Sequence, residues 1–147
     1  MGVPVIVGGF NELSTIDTDG IAFSIFFQGC RRRCPGCHNP ELQPFEGGQQ
    51  LNTEDIITKI TKHLDWYDAV CFLGGEPLEQ PEALTDLLDK SKDLGLERWL
   101  YTGYEVKDIP AKIYNLCSVI VAGEFRQDLF TGGFPASLNQ MVIDRRV

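Results

Sequence analysis

Short apolar runs alternate along this chain with apolar stripes of helical spacing, and the alternation predicts an architecture. Residues 21–27, Ile-Ala-Phe-Ser-Ile-Phe-Phe, form a compact run of β-formers that stops at Gly29, the pattern of a buried strand. After a connection rich in Gly, Pro and Gln through Gly47-Gly48, Asn52 precedes Asp55 at capping-box spacing, with Leu51 and Ile56 placed as a hydrophobic staple. That is a helix start. Ile56, Ile57, Ile60 and Leu64 then fall on one face. A strand is predicted over 69–73, and a helix over 80–94 carries Leu84, Leu87, Leu88 and Leu94 up to a stop at Gly95. Strands over 98–101 and 118–122 follow, with a short helix interrupted by Pro110 between them. Beyond Gly123 the pattern dissolves into Gly132-Gly133-Phe134-Pro135, and only 140–143 returns as a strand. Strands alternating with helices assemble through right-handed crossovers into a parallel sheet. The expected fold class is α/β, an open, incomplete (βα) barrel with a mostly parallel sheet, and residues 1–147 read as one domain.

In such sheets the working residues sit at the carboxyl ends of the strands, and the unusual sequences of this chain fall there. The strand at 21–27 runs into Cys30, Cys34 and Cys37 within Cys30-Arg31-Arg32-Arg33-Cys34-Pro35-Gly36-Cys37-His38. Three thiolates are one too few to close a zinc or an ordinary iron–sulfur site. If they hold a four-iron cluster, one iron keeps an open position, and an open position on a redox metal permits chemistry. Gly74-Gly75-Glu76-Pro77 follows the strand at 69–73; its glycines let a ligand approach the backbone, and Glu76 brings a carboxylate able to accept from an ammonium group. Tyr101-Thr102-Gly103-Tyr104 adds a hydroxyl and an aromatic face at the next strand end. Together the three loops predict a cleft with a cluster at one side and polar handles at the other.

Composition narrows the surroundings. The 147 residues are 43% hydrophobic and 23% charged, ordinary for a globular protein. Thirteen basic against 21 acidic side chains give a net charge of -8, which argues against nucleic acid as a partner. The first residues lack a signal-peptide pattern and no apolar run reaches membrane-spanning length, so no membrane association is expected. Five cysteines, three of them crowded together, suit metal binding in a reducing compartment better than a disulfide framework. A cytoplasmic location is the expectation.

Cys-x3-Cys-x2-Cys after one strand and Gly-Gly-Glu-Pro after the next resemble the radical S-adenosylmethionine superfamily. Within it, Cys34-Pro35-Gly36-Cys37, Tyr101-Thr102-Gly103-Tyr104 and the late Asn139-Gln140 resemble the activating proteins of anaerobic, class III ribonucleotide reductases, over about 19–144 of the chain. The resemblance implies a barrel of the radical S-adenosylmethionine type. It implies that Cys30, Cys34 and Cys37 ligate three irons of a [4Fe–4S] cluster while the amino and carboxylate groups of S-adenosylmethionine chelate the fourth. Gly74, Gly75 and Glu76 would hold the methionine ammonium, with Thr102 and Tyr104 as candidates for its carboxylate, ribose or adenine. An electron from a small reductant such as flavodoxin would release methionine and a 5′-deoxyadenosyl radical. That radical would take hydrogen from a glycine of the large catalytic subunit of the reductase. An open barrel leaves such a radical exposed to water unless the partner closes it, which favours a protein substrate. Arg31, Arg32 and Arg33 stand in sequence beside the cysteines, to offset cluster charge or dock an acidic partner, or as a solvated loop.

Other readings stay in view. Cys34-Pro35-Gly36-Cys37 alone matches a thioredoxin-like dithiol, but Cys30 before it and Asn39-Pro40 after it do not fit a helix start. Zinc with His38 as fourth ligand is disfavoured because adjacent residues seldom both reach one tetrahedral ion, and Cys71 or Cys117 would serve only if the fold brought them over. Otherwise both are small core residues. His63 reads as a helix-end charge complement, and Trp66 and Trp99 as core. A small-molecule reaction, as in deazapurine-forming relatives, and a non-catalytic electron-transfer module remain as alternative functions. The chain departs from the family pattern at Ala22 and Met141, where arginine is usual, and at Ala122-Gly123-Glu124-Phe125 in place of Asp-Gly-Pro-Phe.

Overall fold

The computed structural model describes residues 2–29, 47–124, 127–129, 131–132, 134–135, 137 and 139–146. Cys30, Cys34, Cys37 and the arginines between them lie outside the described residues. Seven strands form one sheet: β1 (Pro4–Ser14), β2 (Ala22–Phe27), β3 (Gln49–Asn52), β4 (Ala69–Gly74), β5 (Glu97–Thr102), β6 (Val119–Ala122) and β7 (Met141–Asp144), in the order β3-β1-β2-β4-β5-β6-β7. The pairs β2·β4, β4·β5 and β5·β6 are parallel, while β1 on one side and β7 on the other join antiparallel. Among the described residues the outer strands β3 and β7 do not pair with each other, so the sheet is open. The expected α/β open barrel is the fold observed, with antiparallel margins added to its parallel centre.

Helices α1 (Thr53–Lys62), α2 (Pro81–Asp93) and α3 (Ala111–Leu116) cover one face. Their Ile56, Ile60, Leu84, Leu87, Leu88 and Ile113 pack with Phe23, Ile25, Phe27, Val70, Phe72, Leu100 and Ile120 of the strands in one core. The period-two alternation of the strands sends Ala22, Ala69, Cys71, Trp99 and Val119 to a smaller cluster on the opposite face. Local sequence sets the helix limits. Asn52 accepts from Glu54 N–H at 2.9 Å and Asp55 accepts from Asn52 N–H at 3.0 Å, closing the capping box. Gly95, at φ +78°, ends α2 with Gly95 N–H donating to Lys92 O and Leu96 N–H to Ser91 O, a Schellman arrangement.

Two strands escape the sequence pattern. β1 buries Val5 and Val7 but contains Gly8-Gly9 and two register irregularities against β2. β3 is Gln-Gln-Leu-Asn, a polar edge held by pairing Pro4–Val7 with residues 49–52. The strand ahead of the cysteines is therefore second in the chain and central in the sheet. Trp66 is half exposed rather than core, stacked on His63 with ring centroids 3.8 Å apart in the turn after α1. Arg146 follows β7, bonds Asp19 at 2.6 Å and Glu97 at 3.2 Å, and lies over the Trp99 ring.

Ser91 is fully buried on α2, and its hydroxyl has no hydrogen-bond partner among the described residues. A buried hydroxyl without a partner costs free energy, and alanine is also the better helix former. Ser91→Ala is expected to raise the unfolding free energy by about 1 kcal/mol, read as a higher urea midpoint with unchanged slope. A lower midpoint would refute this account of the site.

Candidate functional site

The parallel register brings the carboxyl ends of β2, β4, β5 and β6 side by side, and the backbone there is joined residue by residue. β2 leaves the sheet through Phe27, Gln28 and Gly29, the last at φ +102°. The next residue in sequence is Cys30. Three consecutive carbonyls are engaged by one short stretch of chain: Phe27 O accepts from Gly75 N–H at 2.8 Å, Gln28 O from the Gln80 side chain at 3.1 Å and Gly29 O from Glu76 N–H at 2.8 Å. The Gly-Gly-Glu-Pro turn and the start of the cysteine segment are thus one hydrogen-bonded unit.

Gly74 serves that contact. It pairs with Phe27 at φ +109°, and a Cβ on it would stand 2.6 Å from Phe27 N and 2.8 Å from Phe26 Cα. Its lack of a side chain lets β4 lie against β2.

Glu76 is 1% exposed. Its Oε2 accepts from Leu78 N–H at 3.0 Å and from the Thr102 hydroxyl at 2.8 Å, while Oε1 accepts from Gly103 N–H at 2.7 Å. One carboxyl group therefore caps the single 3-10 turn Pro77–Glu79 and clamps the end of β5 to the end of β4. Thr102 Oγ1 also accepts from Tyr104 N–H at 3.1 Å, and the Tyr104 hydroxyl donates to Glu79 at 2.7 Å. Gly123, at φ +115°, donates to Thr102 O and Tyr104 O and so attaches the end of β6. The expected residues Gly74, Gly75, Glu76, Thr102 and Tyr104 are all brought to one place. Glu79, Gln80 and Gly123 join them, and no local signal singled these out.

A cleft of about 630 Å³ opens beside this cluster, between the loops after β5 and β6 and the start of β7. Gly103, Val106, Asp108, Gly123, Asn139 and Met141 are among its lining residues. Asn139 donates to Glu124 O at 2.8 Å and Gln140 to Gly123 O at 3.2 Å, so the Asn139-Gln140 pair seals the loop after β6.

The two described cysteines stay away from these strand ends. Cys71 is buried mid-strand with Ala69 and Trp99, and Cys117 is buried just before β6, at its amino end. Burial pushes both thiols up, with Asp17 adding to the effect at Cys71, and Cys117 reaches about 12. Thiols that resist ionisation are poor metal ligands and poor nucleophiles. Both are small core residues, as the sequence suggested.

A mostly parallel sheet whose strand ends knit a Gly-Gly-Glu-Pro turn to the residues leading into Cys30 is an open α/β fold with its distinctive sequences gathered at one edge. Residues 16–143 match the 4Fe-4S single cluster domain family, and the chain belongs to that family. Over 103 residues it is 36% identical to a pyruvate formate-lyase-activating enzyme of Clostridium pasteurianum, covering 67% of this chain and 43% of the relative. Over 117 residues it is 31% identical to the pyruvate formate-lyase 1-activating enzyme of Escherichia coli strain K12, covering 77% of this chain and 48% of the relative. A pyruvate formate-lyase-activating enzyme of Listeria monocytogenes is 34% identical over 94 residues, covering 61% of this chain and 38% of the relative. The chain spans less than half the length of these relatives. Family and relatives together imply both expected cofactors, a [4Fe–4S] cluster and S-adenosylmethionine. The kinship with activating enzymes agrees with the sequence reading, but these relatives are named for pyruvate formate-lyase and not for ribonucleotide reductase. No helix of the described residues is long and apolar enough to cross a membrane.

Proposed function

We propose that this chain is a radical S-adenosylmethionine activase that installs a glycyl radical on a partner protein. The observation that carries the reading is the joint between the two motifs, in which Gly75 and Glu76 N–H bind the carbonyls of Phe27 and Gly29 at 2.8 Å. A ligand held at the Gly-Gly-Glu-Pro turn is thereby held beside Gly29, the residue before Cys30 in sequence. The donor set fits the expected group: Cys30, Cys34 and Cys37 supply three thiolates and leave a fourth iron for the amino and carboxylate groups of S-adenosylmethionine. When bound and reduced, the cluster supplies the electron that cleaves S-adenosylmethionine for hydrogen abstraction from a glycine. Gly74, Gly75 and Glu76 are assigned to the methionine end, and Thr102 and Tyr104 to its carboxylate, ribose or adenine. The buried clamp through Glu76 keeps both sets in fixed relation.

The target we assign is the large subunit of an anaerobic ribonucleotide reductase, with a small reductant such as flavodoxin as electron source. Support comes from Cys34-Pro35-Gly36-Cys37, Tyr101-Thr102-Gly103-Tyr104 and Asn139-Gln140. A second reading, pyruvate formate-lyase as the target, is favoured by the names of the relatives. The test is anaerobic reconstitution, reduction and addition of S-adenosylmethionine, with 5′-deoxyadenosine quantified and each candidate partner present in turn. Formation of 5′-deoxyadenosine with a glycyl doublet in the electron paramagnetic resonance spectrum of one partner would support the activase and identify its target. A reconstituted cluster that yields no 5′-deoxyadenosine with either partner would leave an electron-transfer module as the better reading.

A further inference from the structure

Gln80 occupies the N-cap position of α2, where Ser, Thr, Asp and Asn are favoured because their side chains accept from the first turn. Its side chain makes no such bond. Its carboxamide turns instead toward the sheet, where Oε1 accepts from Ile6 N–H at 2.9 Å and Nε2 donates to Ile6 O at 2.8 Å and to Gln28 O at 3.1 Å. Gln28 N–H also donates to Ile6 O, at 3.1 Å. The carboxamide therefore acts as one more peptide group at the place where the β1·β2 ladder stops and the chain departs for Cys30.

We propose that Gln80 is a positioning residue for the cluster, holding the backbone from which the cysteine segment departs. Of the three carbonyls before Cys30, those of Phe27 and Gly29 are bound by backbone N–H groups, which any residue but proline supplies. Among the described residues, Gln28 O is instead held by a side chain. The demand on that side chain is specific: one acceptor and two donors on a planar group, which glutamine meets. Glutamate lacks the donors, leucine lacks both functions, and asparagine is a methylene short. The expense of an uncapped helix start is consistent with this second use, since a capping residue there would leave Gln28 O and both polar groups of Ile6 without this partner. The inference rests on the activase reading only for the presence of the cluster, which family membership already carries.

The test compares the full chain with Gln80→Leu and Gln80→Glu. Each protein is reconstituted with iron and sulfide under anaerobic conditions, and bleaching of the cluster absorbance by an iron chelator is timed. Thermal unfolding of the cluster-free proteins is measured in parallel. Loss of hydrogen bonds at the root of the segment is expected to speed bleaching about tenfold in both variants, while the cluster-free proteins still unfold cooperatively at slightly lower temperature. The spectrum of the reduced cluster should broaden as the thiolates lose their fixed root. Bleaching at the wild-type rate would overturn the proposal, whatever happens to the unfolding temperature. Two cluster-free variants that fail to fold would also overturn it, by assigning the contact to the fold alone. Absence of 5′-deoxyadenosine from the wild-type protein would instead count against the activase reading and leave the chelation result to stand on its own.

Discussion

Replacing Glu76 with alanine is expected to remove about 3–4 kcal/mol of stability, an effect far larger than deletion of an ordinary surface carboxylate. The side chain is 1% exposed, and its two oxygens serve Leu78 N–H, the Thr102 hydroxyl and Gly103 N–H. Truncation leaves two part-buried backbone donors without this acceptor; the hydroxyl can rotate, but the amides cannot. Each orphaned donor costs about 1–3 kcal/mol. Glutamine tests the chemistry with little change in volume. Its single carbonyl oxygen can take the place of Oε2 or of Oε1, and whichever amide is left then faces an NH2 donor. Gln should therefore cost about 1–2 kcal/mol, between wild type and Ala. Urea unfolding of the cluster-free protein separates these outcomes. An alanine variant within half a kcal/mol of wild type would mean that water replaces the carboxyl group and that the clamp carries no energy. The functional consequence follows from the same bonds: with Glu76 gone, the loops after β4 and β5 lose their shared anchor, so affinity for S-adenosylmethionine should fall even where the variant remains folded.

The parts of this molecule that could be read from sequence are those set by neighbours in sequence. β4, α2, β5 and β6 appear within a residue or two of the predicted limits, and α1 starts at its predicted cap, because apolar spacing, the Asn52 capping box and Gly95 are local signals. β1 and β3 do not announce themselves. The Gly8-Gly9 step and the register irregularities interrupt β1, and the polar β3 becomes a strand only because β1 is there to pair with it. Trp66 looked like core on hydrophobicity alone, yet the chain turns after His63 and leaves the ring stacked at the surface. At the site, residue types and strand-end positions were legible for Glu76 and Thr102. Their contact spans 26 residues, and that of Gln80 with Ile6 spans 74, so both depend on strand order. Gln80 therefore reads in sequence as a helix boundary and acts in the fold as part of the sheet.

Gly74→Ala is expected to cost about 4 kcal/mol or more, and two separate physical effects contribute to that figure. The first is conformational: at φ +109° an L side chain is strained, by about 1–3 kcal/mol. The second is steric, because the new Cβ would meet Phe27 N at 2.6 Å and Phe26 C and Cα at 2.8 Å. These are backbone atoms of a central strand, so no rotamer change relieves the clash, and β2 and β4 must separate at the Phe27–Gly74 pair. Gly95 isolates the first effect. It too has positive φ, +78°, but a Cβ there would meet nothing within 4 Å. Gly95→Ala should therefore cost only about 1 kcal/mol, the conformational part alone. Measured side by side in urea, the difference between the two variants is the energy of the close β2·β4 approach. Equal costs would mean that the sheet yields easily at this point and that the joint between Gly-Gly-Glu-Pro and the start of the cysteine segment is soft. A large difference would mean that the first glycine of the turn is required by strand packing before any ligand arrives. Gly75 and Glu76 N–H are then set against Phe27 O and Gly29 O by the fold itself.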